Sequence, residues 1–461
     1  MNLAERNLAD LQSRIEIIIK SLQLINTPPN LKLVCKSPPL NPSELSSELA
    51  DLFEAKAHQQ RILSDEMKTE INNLLSGYPK RSQFKEYRPS NVLFKNGTRI
   101  KLVSPYYILK GVGGKKGKGL LPAIIILGIY KHCDSGLCSY ISQMCSALSS
   151  YAEVCDLLKS KGMKLNIKTV IAISRQMATQ ARLSQKADSY IVDFCKGRSI
   201  IISIDGGRVR LREKKRGPKT DKKRNRFKGQ WREVKLFVVY IVDDEGNKTK
   251  HQLPIIDGLI GSPEAVFSLL KQYLSNIDLS AFEHIVFIAD GAPWIWKRAK
   301  DLLADLDVKD IKLTEILDYY HAMEHLGKLA KAIHKKPRAQ KKWLKECKVL
   351  LHNGDVTGFI QKLEDDTKGK RGKKVKTEKN YFINNKNRLG YKAAKDNGLP
   401  LGSGSIESSI RRVVNLRMKG NSIFWLEQSA NDMLFLRSYY KSGRWDDLEK
   451  MAYQGGLQIA A

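Results

Sequence analysis

The sequence predicts an α/β fold: a mixed sheet with helices, preceded by helical regions and interrupted by an all-helical insertion. Three observations predict it. From Ser199 the apolar residues fall into three strand-like runs, within "SIIISIDGG" and the hairpin "WREVKLFVVYIVDDEGNKTKHQLPIIDGL". Two more apolar runs, "HIVFIAD" and "IKLTEILD", then alternate with helical stretches, the pattern of a mixed sheet. Upstream, the apolar spacing is that of amphipathic helices.

Residues 1–77 read as a helical region. Its long amphipathic stretch, "PSELSSELADLFEAKAHQQRILSDEMKTEINNLL", begins at Pro42-Ser43, after the proline-rich connection "TPPNLKLVCKSPPLNP". Residues 78–130 change to short strands such as "TRIKLVSPYYIL" around a Gly/Lys loop, "KGVGGKKGKG". That loop fits neither G-x-x-x-x-G-K-[ST] nor G-x-G-x-x-G, and reads as a flexible basic segment touching phosphates. Residues 131–197 form a helical domain. In "SSYAEVCDLLKSKGMKLNIKTVIAISRQMATQARL" a helix, a break at Lys161-Gly162 and a second helix capped by Asn166 have the layout of a helix-turn-helix. Lys168, Thr169 and Arg175 would then face DNA. An ordinary helical hairpin has the same layout, and net charge tips the reading toward DNA.

The sheet domain covers 198–332 and 398–446. Its first helix, in "SPEAVFSLLKQYL", starts on the cap Ser262 with Glu264 in the first turn. Two stretches look inserted. "LREKKRGPKTDKKRNRFKGQ", Leu211 to Gln230, has ten basic residues against two acids and reads as a mobile basic hairpin or arm. Residues 333–397 are a helical insertion with the basic linker "KGKRGKKVK", and 447–461 are a C-terminal tail.

Over the 461 residues, Lys plus Arg exceed Asp plus Glu by 80 to 48, a formal charge of +32. Such an excess implies a polyanionic partner, nucleic acid first. The longest apolar run, "LLPAIIILGIY", is too short to span a bilayer, and the N-terminus lacks the apolar core of a signal peptide, so the expectation is a cytoplasmic, nucleoid-associated protein without a membrane. The seven scattered cysteines suit a reducing compartment. Cys133, Cys138 and Cys145 beside His132 have loose spacing for zinc and fit buried thiols better.

Asp205 and Asp290 each end an apolar run and precede glycine. A carboxylate at the end of a buried strand needs a cation or hydrogen bonds, and that end of an open α/β sheet is where ligands bind. Turn formation is the alternative for each, and the expected role of Asp257 before Gly258. Oxygen ligands with few histidines favour Mg2+ or Mn2+, and two such ions serve phosphoryl transfer. Glu407 is the only acid between Asp396 and Glu427. By itself it reads as a helix-start acid behind Ser403 or Ser405.

Across about Ser199–Trp445, the segments "SIDGGRVR", "FIADGAPWIW", "LDYYHAMEHL" and "GSGSIESSIRRVVNLRMKGNSIFW" resemble, in that order, the DDE transposases of bacterial insertion sequences. The ISKra-type group, related to the Mutator-like superfamily, is the nearest type. The resemblance implies a ribonuclease H-like catalytic domain with Asp205, Asp290 and Glu407 as catalytic and metal-binding triad. It also implies a D-x-x-H motif, Asp318 and His321, beside the triad, where a core histidine is the plainer reading of His321. The helical insertion accounts for the 117 positions between Asp290 and Glu407. Arg411, Arg412 and Arg417 would run along a helix leading from the metals to DNA phosphates, and Trp425 would stack on a base or sit in the core.

The expected function is DNA transposition. Two ions, Mg2+ or Mn2+, support cleavage at element ends and transesterification into target DNA by a homodimer or higher oligomer. The alternatives are a metal-dependent nuclease or resolvase on the same fold, and a non-catalytic DNA-binding regulator. A tyrosine recombinase ranks lower, because no arginine-histidine-arginine set surrounds the tyrosine pairs.

Overall fold

The structure, a computed structural model, describes residues 71–72, 75, 82–109, 118–126, 128–185, 195–221, 223, 225–249, 252–306 and 311–454. The helical region expected over 1–77 therefore lies outside the described residues except for Ile71, Asn72 and Leu75, and so does most of the Gly/Lys loop, residues 110–117. No described helix is long and apolar enough to cross a membrane. The chain divides into two units, residues 1–184 with 448–461, and residues 185–447.

In the first unit, β1 (Ser82–Leu93) and β2 (Arg99–Leu109) form an antiparallel hairpin, and β3 (Lys118–Leu120) pairs with β2. A short helix, α1 (Pro122–Ile126), leads to α2 (Ser135–Ala147), α3 (Tyr151–Ser160) and α4 (Ile167–Leu183). These begin where short polar side chains take up free backbone N–H groups: Asp134, Ser150 and Asn166 each accept one. Between α3 and α4, Gly162 adopts φ 77°, which frees the chain to turn at Lys161-Gly162. Leu137, Ile141, Val154, Leu158, Val170, Ile173 and Met177 bury one face of each helix.

Cys133, Cys138 and Cys145 are buried, and burial pushes the Cys133 thiol up to about 12 and Cys138 well above its ordinary value. They are packed as small apolar side chains. Of the stretch read as a C-terminal tail, residues 447–454 belong to a helix, Trp445–Gln454, and the rest lies outside the described residues. Leu448 and Ala452, one turn apart, are buried, the Ser139 hydroxyl donates to Glu449 (3.0 Å), and the Tyr453 hydroxyl donates to the Ser135 carbonyl (2.9 Å).

The second unit is built on a five-stranded mixed sheet. Its strands are β4 (Ser199–Lys214), β5 (Phe227–Val242), β6 (Ile255–Ile260), β7 (His284–Ala289) and β8 (Lys312–Leu317), in spatial order β6-β5-β4-β7-β8. β5 runs antiparallel to both neighbours, while β4, β7 and β8 are parallel. Helices α5 (Pro263–Leu274) and α6 (Pro293–Asp305) connect β6 to β7 and β7 to β8. Ile200–Ile202 and Ile285–Ile288 are buried on both faces, which is why these strands read as unbroken apolar runs.

The insertion follows α7 (Tyr319–Ile333) and contains α8 (Pro337–His352), α9 (Val356–Thr367), α10 (Lys373–Asn384) and α11 (Tyr391–Asp396). It has a core of its own: Trp343, Cys347, Leu351, Phe359, Leu363 and Phe382 are buried, with the Phe359 and Phe382 rings edge-on at 5.4 Å. The chain returns through α12 (Gly404–Ser409), which continues as a π-helical segment, Ile410–Asn415, and a last turn, Leu416–Met418. The buried Arg437 guanidinium, on α13 (Glu427–Ser442), donates to the Val413 carbonyl at 2.6 Å and to that of Arg412, bracing the widened turn.

Two sequence expectations are corrected. β4 does not end on Asp205 but runs on to Lys214, and it pairs with β5 throughout, from Ser199↔Val242 to Lys214↔Phe227. Both arms of the supposed loose insertion are therefore strand, held by the buried alternation of Val209 and Leu211. Asp257 does not turn the chain. It sits inside β6 opposite Phe237, fully buried, and accepts from the Tyr273 hydroxyl at 2.8 Å.

The return from the insertion depends on one backbone contact. Gly398 (φ 63°) lies against the β5–β6 turn, where a Cβ on it would overlap the Asp244 carbonyl. Both the positive φ and the clash penalise a side chain, so Gly398→Ala should lower stability by about 1–3 kcal/mol. Urea denaturation measures this, and an unchanged midpoint would contradict it.

Candidate active site

Register places the first aspartate. β4 pairs with β7 only as far as Ser203↔Ile288, so Asp205 lies just past its parallel neighbour, and β7 ends at Ala289 and delivers Asp290 next. Both acids thus stand at the carboxyl end of the parallel strands. Asp205 and Gly207 share one face of β4. That face is roofed by the returning helix, since a Cβ on Gly207 would meet Val414 and Ile410 at 3.4 and 3.5 Å. Glu407 precedes Ile410 by three positions, which brings it to the same side of the helix, toward Asp205.

Burial, first, raises the Asp205 carboxyl to about 6; the Gly206 amide and His321 oppose the rise, while the charges of Asp290 and Glu407 add to it. Asp290 itself accepts from the Ala292 amide at 3.1 Å. Its carbonyl accepts from the Tyr381 hydroxyl of α10 at 3.1 Å, so the insertion grips this turn. The Tyr381 ring stacks on His325 at 3.8 Å, and His325 Nδ1 meets the Glu378 carboxylate at 2.6 Å. Sequence reasoning missed this trio. The available signal was His325, one helical turn after His321.

Asp318 is fully buried at the start of α7. One carboxylate oxygen accepts from the His321 amide (2.7 Å) and the other from the Ser403 amide, while the Tyr319 amide donates to the Leu401 carbonyl (3.0 Å). Burial alone would raise the Asp318 carboxyl, but the hydrogen bonds from His321 and Ser403 prevail and hold it near 2. Asp318 therefore acts as a brace: it caps α7 and fixes the turn that delivers Glu407. Ser403, expected as a capping side chain, makes no such bond; its backbone amide is what matters.

His321 Nδ1 lies 3.4 Å from Asp318 Oδ1 and 3.6 Å from Glu407 Oε1, buried and without a hydrogen bond to either. Contact with Asp318, first, raises His321 to about 9 against the effect of burial, and the charges of Glu407 and Asp290 add to it. Among the described residues, Asp318, His321 and Glu407 are the group whose ligand atoms all fall within 4.8 Å of one another. The expected triad of Asp205, Asp290 and Glu407 is looser. Asp205 feels the charges of Asp290 and Glu407, but Glu407, whose side chain is 48% exposed, leans toward His321.

Of the residues expected to touch DNA, Lys168 and Arg175 are exposed on α4, and Thr169 is half-buried, its amide donating to Asn166. Arg411 and Arg412 are exposed. Arg417 is a correction: it is 5% exposed, with its guanidinium 5.3 Å over the ring of Trp425. Trp425 is itself buried, its Nε1 donating to the Met418 carbonyl at 3.0 Å, so this pair belongs to the core. The β4–β5 ribbon carries an unforeseen aromatic-cation set: Trp231 and Phe227 are exposed, Arg210 lies 5.4 Å over Trp231, and Arg212 lies 5.9 Å over Phe227. Comparison with known proteins adds nothing to this geometry: no family model, no curated protein and no solved structure matches the chain.

Proposed function

We propose that the second unit is a ribonuclease H-like catalytic domain and that the protein is a DNA transposase, cleaving at element ends and joining the freed strand to target DNA. The observation that carries this reading is that Asp205 and Asp290 stand at the carboxyl end of the parallel strands, where Asp205 feels the charges of both Asp290 and Glu407. The order β6-β5-β4-β7-β8 with only β5 reversed supports the ribonuclease H-like assignment.

The donor set fits hard divalent ions. The acids offer oxygen ligands, and Asp205 is held near 6 by burial and like charge, which a cation would relieve. Asp205, Asp290 and Glu407 would hold Mg2+ or Mn2+. When bound, these ions supply activation of water or a 3'-hydroxyl and stabilise the leaving oxygen. Asp318 keeps the Glu407 turn in place, and protonated His321 balances charge between Asp318 and Glu407. Arg411, Arg412, Lys168 and Arg175, with the basic β4–β5 ribbon, supply phosphate contacts that set register. Synapsis of two ends would require a dimer or higher oligomer.

The test uses DNA carrying the genomic flanks of this reading frame, incubated with the full chain and Mg2+ or Mn2+. The expected result is nicking at inverted-repeat ends and joined products, both lost in EDTA. Metal-dependent cutting governed by DNA shape, without joining, would replace transposition by a nuclease. Tight DNA binding with no cutting under any metal would replace it by a regulator.

A further inference from the structure

A second cleft opens on the other side of the helix that carries Glu407. Ser405, Ser408, Ser409 and Arg412, spaced as one helical face, line it together with Tyr240, Lys248 and Tyr320, and the open cleft offers about 550 Å3. Its described lining contains two cations and no acid. Neither Lys248 nor Arg412 forms an ion pair with a carboxylate among the described residues. Lys248 packs its ammonium 4.6 Å over the Tyr240 ring, and burial, first, then the Arg412 charge lower its pKa. Both residues reach solvent, and two like charges on one cleft wall repel each other until an anion arrives.

The rest of the lining says which anion. The Ser408 hydroxyl, on the exposed part of this face, can donate to a non-bridging oxygen, while that of Ser409 is committed to the Ser405 carbonyl at 2.8 Å; a guanidinium beside an ammonium suits phosphate. The volume is far larger than an isolated phosphate needs. At the rim, Tyr320 leaves 65% of its surface exposed, an apolar face with a free side on which a base can stack. We propose that this cleft binds a nucleotide phosphate, with Lys248 and Arg412 clasping the phosphate and Tyr320 receiving the base. The nucleotide is either one unit of a single strand or a free mononucleotide. The inference rests on the transposase reading at Arg412, which that reading already places on DNA phosphate, and goes beyond it at Lys248 and Tyr320; it requires none of the three triad carboxylates.

The test is therefore run in EDTA, with the full chain. Anisotropy of a labelled twelve-nucleotide single strand gives affinity and its salt dependence, and dAMP and inorganic phosphate serve as competitors. Lys248→Gln and Arg412→Gln should each weaken binding about fivefold or more and flatten the salt slope by about 0.7, one phosphate contact on a single strand. Lys248→Arg should restore most of the loss, and Tyr320→Ala should weaken binding without changing the slope. The exposed Lys300→Gln is the control for general loss of charge.

Competition by dAMP below millimolar concentration identifies a free nucleotide as sufficient. Competition by strands alone identifies a phosphodiester. The proposal is overturned if Lys248→Gln and Arg412→Gln change affinity and slope no more than Lys300→Gln does, in proteins with unaltered circular dichroism and melting. It is also overturned as a nucleotide site if Tyr320→Ala is silent. Arg412→Gln would also remove a phosphate contact of the transposase reading, so Lys248→Gln and Tyr320→Ala decide the cleft, in an assay with no divalent ion and no cleavage step on which that reading depends.

Discussion

D205N and E407Q should each lower metal-dependent strand cleavage by about a thousandfold or more and leave DNA binding in EDTA unchanged, if the proposed activity holds. Each amide keeps the volume of the acid and removes its charge, so packing beneath the helix is preserved while a hard cation loses an anionic ligand. D290N is expected to behave the same way. Binding should survive, because the proposed phosphate contacts fall to Arg411, Arg412, Lys168, Arg175 and the ribbon, not to these acids. D318N should differ in kind. An amide nitrogen placed on either carboxylate oxygen would face the His321 or Ser403 amide, donor against donor, so the melting temperature should fall along with activity. Cleavage of supercoiled plasmid bearing the element ends, read on gels with a melting curve for each variant, separates the two classes. D205N retaining activity within tenfold of the parent would remove Asp205 from the site.

The core of this fold was legible because its period is simple. Runs such as Ile200–Ile202 and Ile285–Ile288 read as buried strands, and Ser262 and Asn166 read as caps, since each local signal has one physical cause. The two acids stood out for a related reason, since an aspartate closing an apolar run is out of place without a partner, although β4 itself runs on past Asp205. What the sequence concealed depends on contacts between distant segments. Leu211 is one apolar residue in a basic stretch, and nothing nearby shows that it continues β4 opposite Gln230. Arg417 and Arg412 look alike in "RRVVNLRMKG", yet a few positions around the helix put one against Trp425 and the other in solvent. The grip of Tyr381 on the Asp290 carbonyl spans 91 positions, beyond the reach of any local pattern.

In the absence of divalent ions, the stability of the second unit should fall as pH rises from about 4 to 6, and Mg2+ or Mn2+ should reverse the fall. Asp205 is near 3.8 in an unfolded chain and about 6 here, so between those values the folded state binds more protons. Raising the pH through that window removes stability, by about 3 kcal/mol at most for a carboxyl raised this far. His321, raised to about 9, acts in the same direction at higher pH: its contribution is complete below 6.5 and is lost as pH rises through 9. Asp318, held near 2, stabilises above 3.8 and is lost only as pH falls toward 2, so it leaves the window between 4 and 6 flat. D205N should therefore be more stable than the parent at pH 7.5 in EDTA and equal to it near pH 4. A divalent cation should raise the melting temperature of the parent at pH 7.5, do little at pH 4.5, and do little to D205N at either. These differences come from one buried carboxyl held among like charges, so they persist whatever reaction the site performs. Matching pH curves for the parent and D205N, together with no metal response, would mean that Asp205 is not held among like charges that a cation can relieve.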